Sequence, residues 1–259
     1  MLIDSHCHLN FPELKENLPE IVKRARAEGV SLMQTICTNI SDLPEILEIT
    51  DSYPNIYASV GVHPNEVQDV ITADELICHA QHKKIIGIGE TGLDFYYEKS
   101  DRNKQIESFI AHIEAARATS LPLIVHTRNA DFETIDILTK EMKKASFKGL
   151  IHCFSTSREV AIKSIELGLY ISISGIITFK KSIELQDIVK DLPLSSLLIE
   201  TDAPFLAPMP MRGKPNEPSY VKHTALFLAE LQNISFEEVA KATTANFLQL
   251  FSKKIDIIS

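Results

Sequence analysis

His6 and His8 lie one residue apart in an apolar run close to the start of this 259-residue chain. Side chains alternate along a strand, so both imidazoles face one side while Cys7 faces the other. Two imidazoles on one face chelate a divalent transition metal. An isolated H-x-H reads more simply as two satisfied polar histidines, but here the pattern recurs. Glu90 closes Ile85-Ile86-Gly87-Ile88-Gly89, His126 closes Leu123-Ile124-Val125, His152 closes Leu150-Ile151, and Asp202 follows Leu197-Leu198-Ile199-Glu200-Thr201. Burying such groups together is costly unless a cation compensates them. Six donors exceed the four of a tetrahedral zinc site, so two divalent metal ions are the expected count. In that reading Glu90 bridges the two ions, and Asp202 binds one and serves as general base.

The positioning elements are short apolar runs alternating with amphipathic ones. Strands are expected over Leu2–Cys7, Ser31–Cys37, Ile56–Val62, Ile85–Gly89, Leu123–His126, Gly149–Cys153, Leu169–Ser174 and Ser196–Glu200. Runs this short and this apolar suit parallel strands covered on both faces. Between them, Leu18–Glu28 places Leu18, Ile21, Val22 and Ala25 on one helical stripe, with Gly29 as a stop signal. Thr72 with Glu75, and Ser235 with Glu238, are capping-box pairs; the second opens a last helix running to about Phe251. Asp101–Ser120, Asp131–Lys144 and Arg158–Leu167 also read as helices. Eight strand–helix repeats point to an α/β fold, a single (β/α)8 barrel over residues 1–259. An open doubly wound sheet would gather its ligands at one switch point, whereas these candidates are spread along the whole chain. In a barrel they meet at the C-terminal rim, and the proline-rich stretch Ala203–Pro218 becomes a loop of that rim.

With 44% hydrophobic and 24% charged residues, the composition is that of a globular protein. A net charge of −9 argues against a nucleic-acid coating protein or a membrane-surface binder. It leaves room for a nuclease that meets phosphate through cations and a few local basic residues. The four cysteines form no C-x-x-C pair, which favours reduced thiols and a cytoplasmic location. No apolar run is long enough to span a membrane.

The motifs D-S-H-C-H (Asp4–His8), G-V-H-P-N-E (Gly61–Glu66), G-I-G-E-T-G-L-D-F-Y (Gly87–Tyr96), L-I-V-H-T-R (Leu123–Arg128), I-H-C-F-S (Ile151–Ser155) and E-T-D-A-P-F-L-A-P (Glu200–Pro208) resemble those of the TatD-type deoxyribonucleases, members of the metal-dependent amidohydrolase superfamily. The resemblance runs from residue 4 to about residue 251 in the family's order. It implies that His6, His8, Glu90, His126, His152 and Asp202 are the metal ligands. It also implies magnesium, zinc or manganese as cofactor, and 3′→5′ exonuclease action on single-stranded DNA or RNA. One departure is Thr156, where the family's H-C-F-S-G form has glycine; it removes no ligand.

His63, Arg128, Arg212, Lys214 and Tyr96 are candidate substrate contacts. Arginine and lysine would hold phosphate, and the tyrosine would stack a base. Asp4 and Asp94 are read as orienting histidines or positioning the loop. Glu200 is a candidate for a metal contact or for a contact behind a ligand, but alternation turns it away if the neighbours of Asp202 stay extended; Cys7 and Cys153 read as small hydrophobes facing away. Phe95 reads as core, and His79, His82, His112 and His223 as structural or solvated. The rival function is an amidohydrolase-type enzyme acting on a small-molecule amide or ester, or on D-aminoacyl-tRNA. That enzyme would close a lid over a tight apolar pocket. A non-catalytic scaffold would show broken ligands, and none is broken. A monomer or weak homo-oligomer is expected.

Overall fold

The computed structural model describes residues 1–97 and 99–255. Among these, eight parallel strands form one sheet in the order of the chain. They are β1 (Leu2–Cys7), β2 (Val30–Thr35), β3 (Ile56–Val60), β4 (Ile85–Asp94), β5 (Leu123–Arg128), β6 (Gly149–Ile151), β7 (Tyr170–Ile173) and β8 (Leu197–Ile199). Helices intervene, and the expected ones over Leu18–Ala27, Arg102–Thr119, Asp131–Lys144 and Arg158–Glu166 are present. Both capping boxes close as the sequence implies, opening helices Ala73–His79 and Phe236–Leu250. The fold is a (β/α)8 barrel.

Closure occurs just past β8. Asp202 N donates to His6 O at 2.9 Å and His8 N donates to Ala203 O at 2.8 Å. The candidate ligands at the two ends of the chain are thus joined by the backbone bonds that shut the barrel. At the other end, Ile3, Leu32, Ile86 and Ile124, all near strand starts, pack with Phe247, Leu250 and Phe251. The C-terminal helix therefore covers the end opposite the ligands, which leaves one open mouth.

The largest departure from expectation is β4, which runs to Asp94 rather than stopping at Gly89. Its register against β5 shifts between Ile88 and Thr91, and Glu90 sits in that bulge. Gly89 and Gly92 mark close approach rather than a stop. Their φ values are +131° and +133°. A Cβ at residue 89 would lie 2.6 Å from Ile124 O, and one at residue 92 would overlap the His126 carbonyl oxygen. Only glycine tolerates both the dihedral and the contact. The bulge turns Glu90 into the mouth and carries the strand on to Asp94, beside His126.

Candidate metal centre

The mouth is a cavity of about 880 Å³ whose lining includes His8, His63, Glu90, His126, His152 and Asp202. Glu90 lies at its floor, almost fully buried, and its two oxygens face different partners. Oε1 is 3.0 Å from His152 Nε2, 3.1 Å from His126 Nδ1 and 3.5 Å from His63 Nε2. Oε2 is 3.4 Å from His6 Nε2. Asp202 Oδ1 then reaches both members of the H-x-H pair, His8 Nε2 at 3.2 Å and His6 Nε2 at 3.7 Å. The rings of His6 and His152 stack at 3.7 Å between centroids. All six residues that the motifs single out are therefore in one place, split by Glu90 into two groups.

The donor set suits divalent cations. Three overlapping triads each bring their ligand atoms within 4.8 Å of one another: His6, His152 and Asp202; His6, His8 and Glu90; His63, Glu90 and His126. His6 is fully buried, yet among the described residues neither of its ring nitrogens has a hydrogen-bond partner, and His8 Nδ1 has none either. Orphaned imidazole nitrogens beside carboxylates are expensive to bury unless something coordinates them. Imidazole with carboxylate fits zinc or manganese, and the carboxylates also fit magnesium.

Charge is balanced locally. Burial alone would raise the Glu90 carboxyl, but the imidazoles of His152, His63 and His6 outweigh it and hold Glu90 well below the usual carboxylate range. Burial also opposes ionisation of Asp202, and the hydrogen bond with His8 with the charges of His152 and His6 still leaves it lowered. His152 is pushed up against its burial by Glu200 and Glu90. His63 goes the other way, down to about 3, because burial dominates.

Three further carboxylates brace the ligands from behind. Asp94 Oδ2 lies 3.2 Å from His126 Nε2 and accepts from Asn65 Nδ2 at 3.0 Å. Its Oδ1 accepts from the backbone N–H of Tyr96 and Tyr97, each at 3.0 Å. Glu200 Oε1 is 2.9 Å from His152 Nδ1. Asp4 accepts from Thr201 N at 2.9 Å and from Thr201 Oγ1 at 2.6 Å, which ties the Asp202 turn to β1. Burial pushes the Asp4 carboxyl up to about 8.

Two expectations about facing are overturned. Glu200 points into the centre, where Oε1 meets His152 Nδ1, because the chain does not stay extended through Asp202, whose φ is +57°. Cys153 lines the mouth, because its φ of +45° breaks the alternation that would have turned it away. Cys7 does face away, its Sγ donating to Gln34 O at 3.4 Å. His112 is structural as read, with Nε2 accepting from Val62 N at 3.0 Å and Nδ1–H donating to Ser108 O at 2.7 Å.

The candidate substrate contacts divide. His63 and Arg128 line the mouth. Arg212 and Lys214 do not; both are exposed, and the Arg212 guanidinium stacks on Phe179 at 4.1 Å. Their place in the loop after Asp202 is where expected, but that loop carries them outward. Tyr96 also lies outside the lining and instead underlies Arg128, whose guanidinium carbon is 4.0 Å from the Tyr96 ring centroid and 4.6 Å from that of Tyr97. Tyr97 and Lys99 line the mouth, as do Phe11 and Phe205, which meet edge to face at 5.9 Å. Of these four only Phe205 carries a signal in the sequence, as part of the E-T-D-A-P-F-L-A-P motif. Asn65 also does, as part of the G-V-H-P-N-E motif.

The family model described as TatD related DNase matches residues 3–252. That span covers all eight strands except Leu2, the first residue of β1, and every residue of the centre. The chain belongs to the TatD-related DNase family. Among its TatD-family relatives is YcfH of Escherichia coli strain K12, described as an uncharacterized metal-dependent hydrolase; it is 39% identical over 253 residues, covering 96% of this chain and 95% of the relative. YabD of Bacillus subtilis strain 168, described in the same words, is 40% identical over 256 residues, covering 97% and 99%. Among solved structures, the TatD homologue YjjV of Escherichia coli K12 superposes with a TM-score of 0.88 at 28% identity, covering 97% of this chain and 98% of that one. No helix among the described residues is long and apolar enough to cross a membrane.

Proposed function

We propose that this metal-dependent hydrolase of the TatD family cleaves phosphodiester bonds of single-stranded DNA or RNA as a 3′→5′ exonuclease. The observation that carries the reading is the composition of the mouth's rim. Arg128 and Lys99 lie on one side with Tyr97, and the aromatic pair Phe11 and Phe205 lies beside His8. Cationic and exposed aromatic groups around one opening suit a strand of phosphates and bases. A closed apolar pocket would suit a small amide or ester better. We take residues 1–259 as one barrel domain, cytoplasmic, and a monomer or weak homo-oligomer.

His6, His8, Glu90, His126, His152 and Asp202 would hold two divalent cations, with Glu90 between them. Bound there, the cations supply Lewis-acid polarisation of the phosphoryl group and lower the pKa of water. Arg128, pre-set on its tyrosine, offers two N–H groups to a phosphate. Asp202, the part-exposed carboxylate of the set, takes the proton of the attacking water. The water oxygen would bond to phosphorus as the P–O bond to the leaving sugar oxygen breaks, and that oxygen would take back the proton held by Asp202.

The test uses end-labelled single-stranded DNA and RNA with magnesium, manganese or zinc, alongside the Glu90→Ala variant. Stepwise shortening from the 3′ end by wild type alone is expected. No cleavage by the wild type with any of the three metals, or equal cleavage by the variant, would overturn the proposal. Turnover of amide, ester or aminoacyl-tRNA substrates without DNA or RNA cleavage would move the function to the rival class.

A further inference from the structure

Three histidines crowd one oxygen of Glu90, and their far nitrogens meet different partners. Neutral imidazole carries one N–H and one lone pair, so whatever the far nitrogen bonds to decides what the near one presents. Behind His126 stands the Asp94 carboxylate, 3.2 Å from Nε2. Behind His152 stands Glu200, 2.9 Å from Nδ1. Behind His63 stands a donor instead, the backbone N–H of Asn65, which bonds Nδ1 at 3.0 Å.

We infer that these partners sort the three rings. Asp94 and Glu200 are positioning residues that hold His126 and His152 in opposite tautomers, so that Nδ1 of the first and Nε2 of the second are free to bind metal. The Asn65 amide holds His63 with its proton on Nε2, so His63 presents an N–H to the mouth and does not ligate. His63 therefore stays out of the ligand set although its Nε2 lies among the donor atoms of a metal-sized triad.

The two carboxylates differ in what else they do, and this separates positioning from mere packing. Both Asp94 oxygens are occupied. In Asp94→Asn the amide oxygen must stay on the Tyr96 and Tyr97 N–H groups, which leaves the NH2 facing His126 Nε2. His126 must then accept there and place its proton on Nδ1, toward Glu90, where the metal belongs. Asn65 can follow by turning its amide, since its Oδ1 has no hydrogen-bond partner among the described residues. Glu200 Oε2 has no partner among them either. Glu200→Gln can therefore keep an oxygen on His152 Nδ1–H and put its NH2 at the unused position.

The inference rests on the metal reading of the site and is independent of the substrate. Protein labelled with ¹⁵N-histidine would be loaded with zinc, and long-range ¹H–¹⁵N spectra would read the protonated nitrogen of each ring while calorimetry reads zinc affinity. The expected result is Nε2–H for His126, Nδ1–H for His152, and Nε2–H for His63 without a metal-induced shift on its nitrogens. Asp94→Asn should weaken zinc binding about 10–100-fold, the usual effect of losing a ligand's outer partner. Asp94→Ala, where water can accept from Nε2–H, should weaken it less, and Glu200→Gln should stay within roughly threefold of wild type. Any other tautomer pattern in the zinc-loaded wild type overturns the sorting alone, as do equal losses for Asp94→Asn and Glu200→Gln. The wild-type spectrum decides even if Asp94→Asn does not fold. Wild-type protein that takes up no zinc would overturn the metal reading itself, and the sorting with it.

Discussion

Metal should stabilise the fold, and Glu90→Gln should abolish the effect. Glu90 is the carboxylate that reaches both groups of donors, through Oε1 to His152 and His126 and through Oε2 to His6. Removing its charge weakens both candidate ion sites at once, whereas Asp202 lies near His6 and His8. A cation that binds only the folded state at 100 times its dissociation constant adds about 2.7 kcal/mol. Unfolding entropy of roughly 2.1 cal/mol/K per residue gives about 0.5 kcal/mol/K for 259 residues. One filled site should therefore raise Tm by about 5 °C, and two by about 10 °C. The assay is thermal unfolding of chelator-stripped protein with graded zinc, manganese or magnesium. The Glu90→Gln variant should show little of the rise, and its circular dichroism should match that of the wild type. A wild-type Tm indifferent to all three metals, or an equal rise in the variant, would refute the reasoning.

Other outcomes are expected of residues around the centre. Arg128→Ala should lower kcat/KM on single-stranded substrate about 10–100-fold, since a charge-assisted hydrogen bond is worth roughly 1.5–3 kcal/mol. Lys214→Ala, exposed and outside the mouth, should leave it within about twofold; equal effects in a steady-state comparison would contradict the geometry. Gly92→Ala forces a Cβ onto the His126 carbonyl at φ +133°, so urea unfolding should show a loss of about 3 kcal/mol or more; a near-neutral result would mean that β4 relaxes there. His112 is buried and neutral, with its pKa lowered from 6.5 to about 4. The unfolded chain therefore binds that proton first, so the stability His112 contributes is present above pH 6.5 and is lost as the pH falls toward 4. The loss is about 3 kcal/mol, and a His112→Asn variant should show a flatter pH dependence of unfolding over that window.

Several features are legible in the amino-acid sequence alone. The strand starts at Leu2, Ile56, Ile85, Leu123 and Gly149 come directly from apolar runs. The capping boxes at Thr72 and Ser235 come from local spacing, because a cap involves only the first turn. What failed was whatever depends on a partner strand or on a single dihedral. Gly89 looks like a stop until β5 is seen pressing against it. Cys153 looks buried until its left-handed φ turns it into the mouth.

The sequence by itself determined the barrel and the six polar residues placed at the ends of its apolar runs, because periodicity and strand-end position are local and repeat along the chain. Tertiary structure alone decided how those residues divide. Glu90 faces two ways because a bulge between β4 and β5 lifts it, and Asp202 meets His6 and His8 because the barrel closes on their backbone bonds. The partners behind His126, His152 and His63 come from 32, 48 and 2 residues away. Two of those three distances lie beyond any local pattern, and a hydrogen bond between such distant residues exists only once their strands have assembled into the sheet.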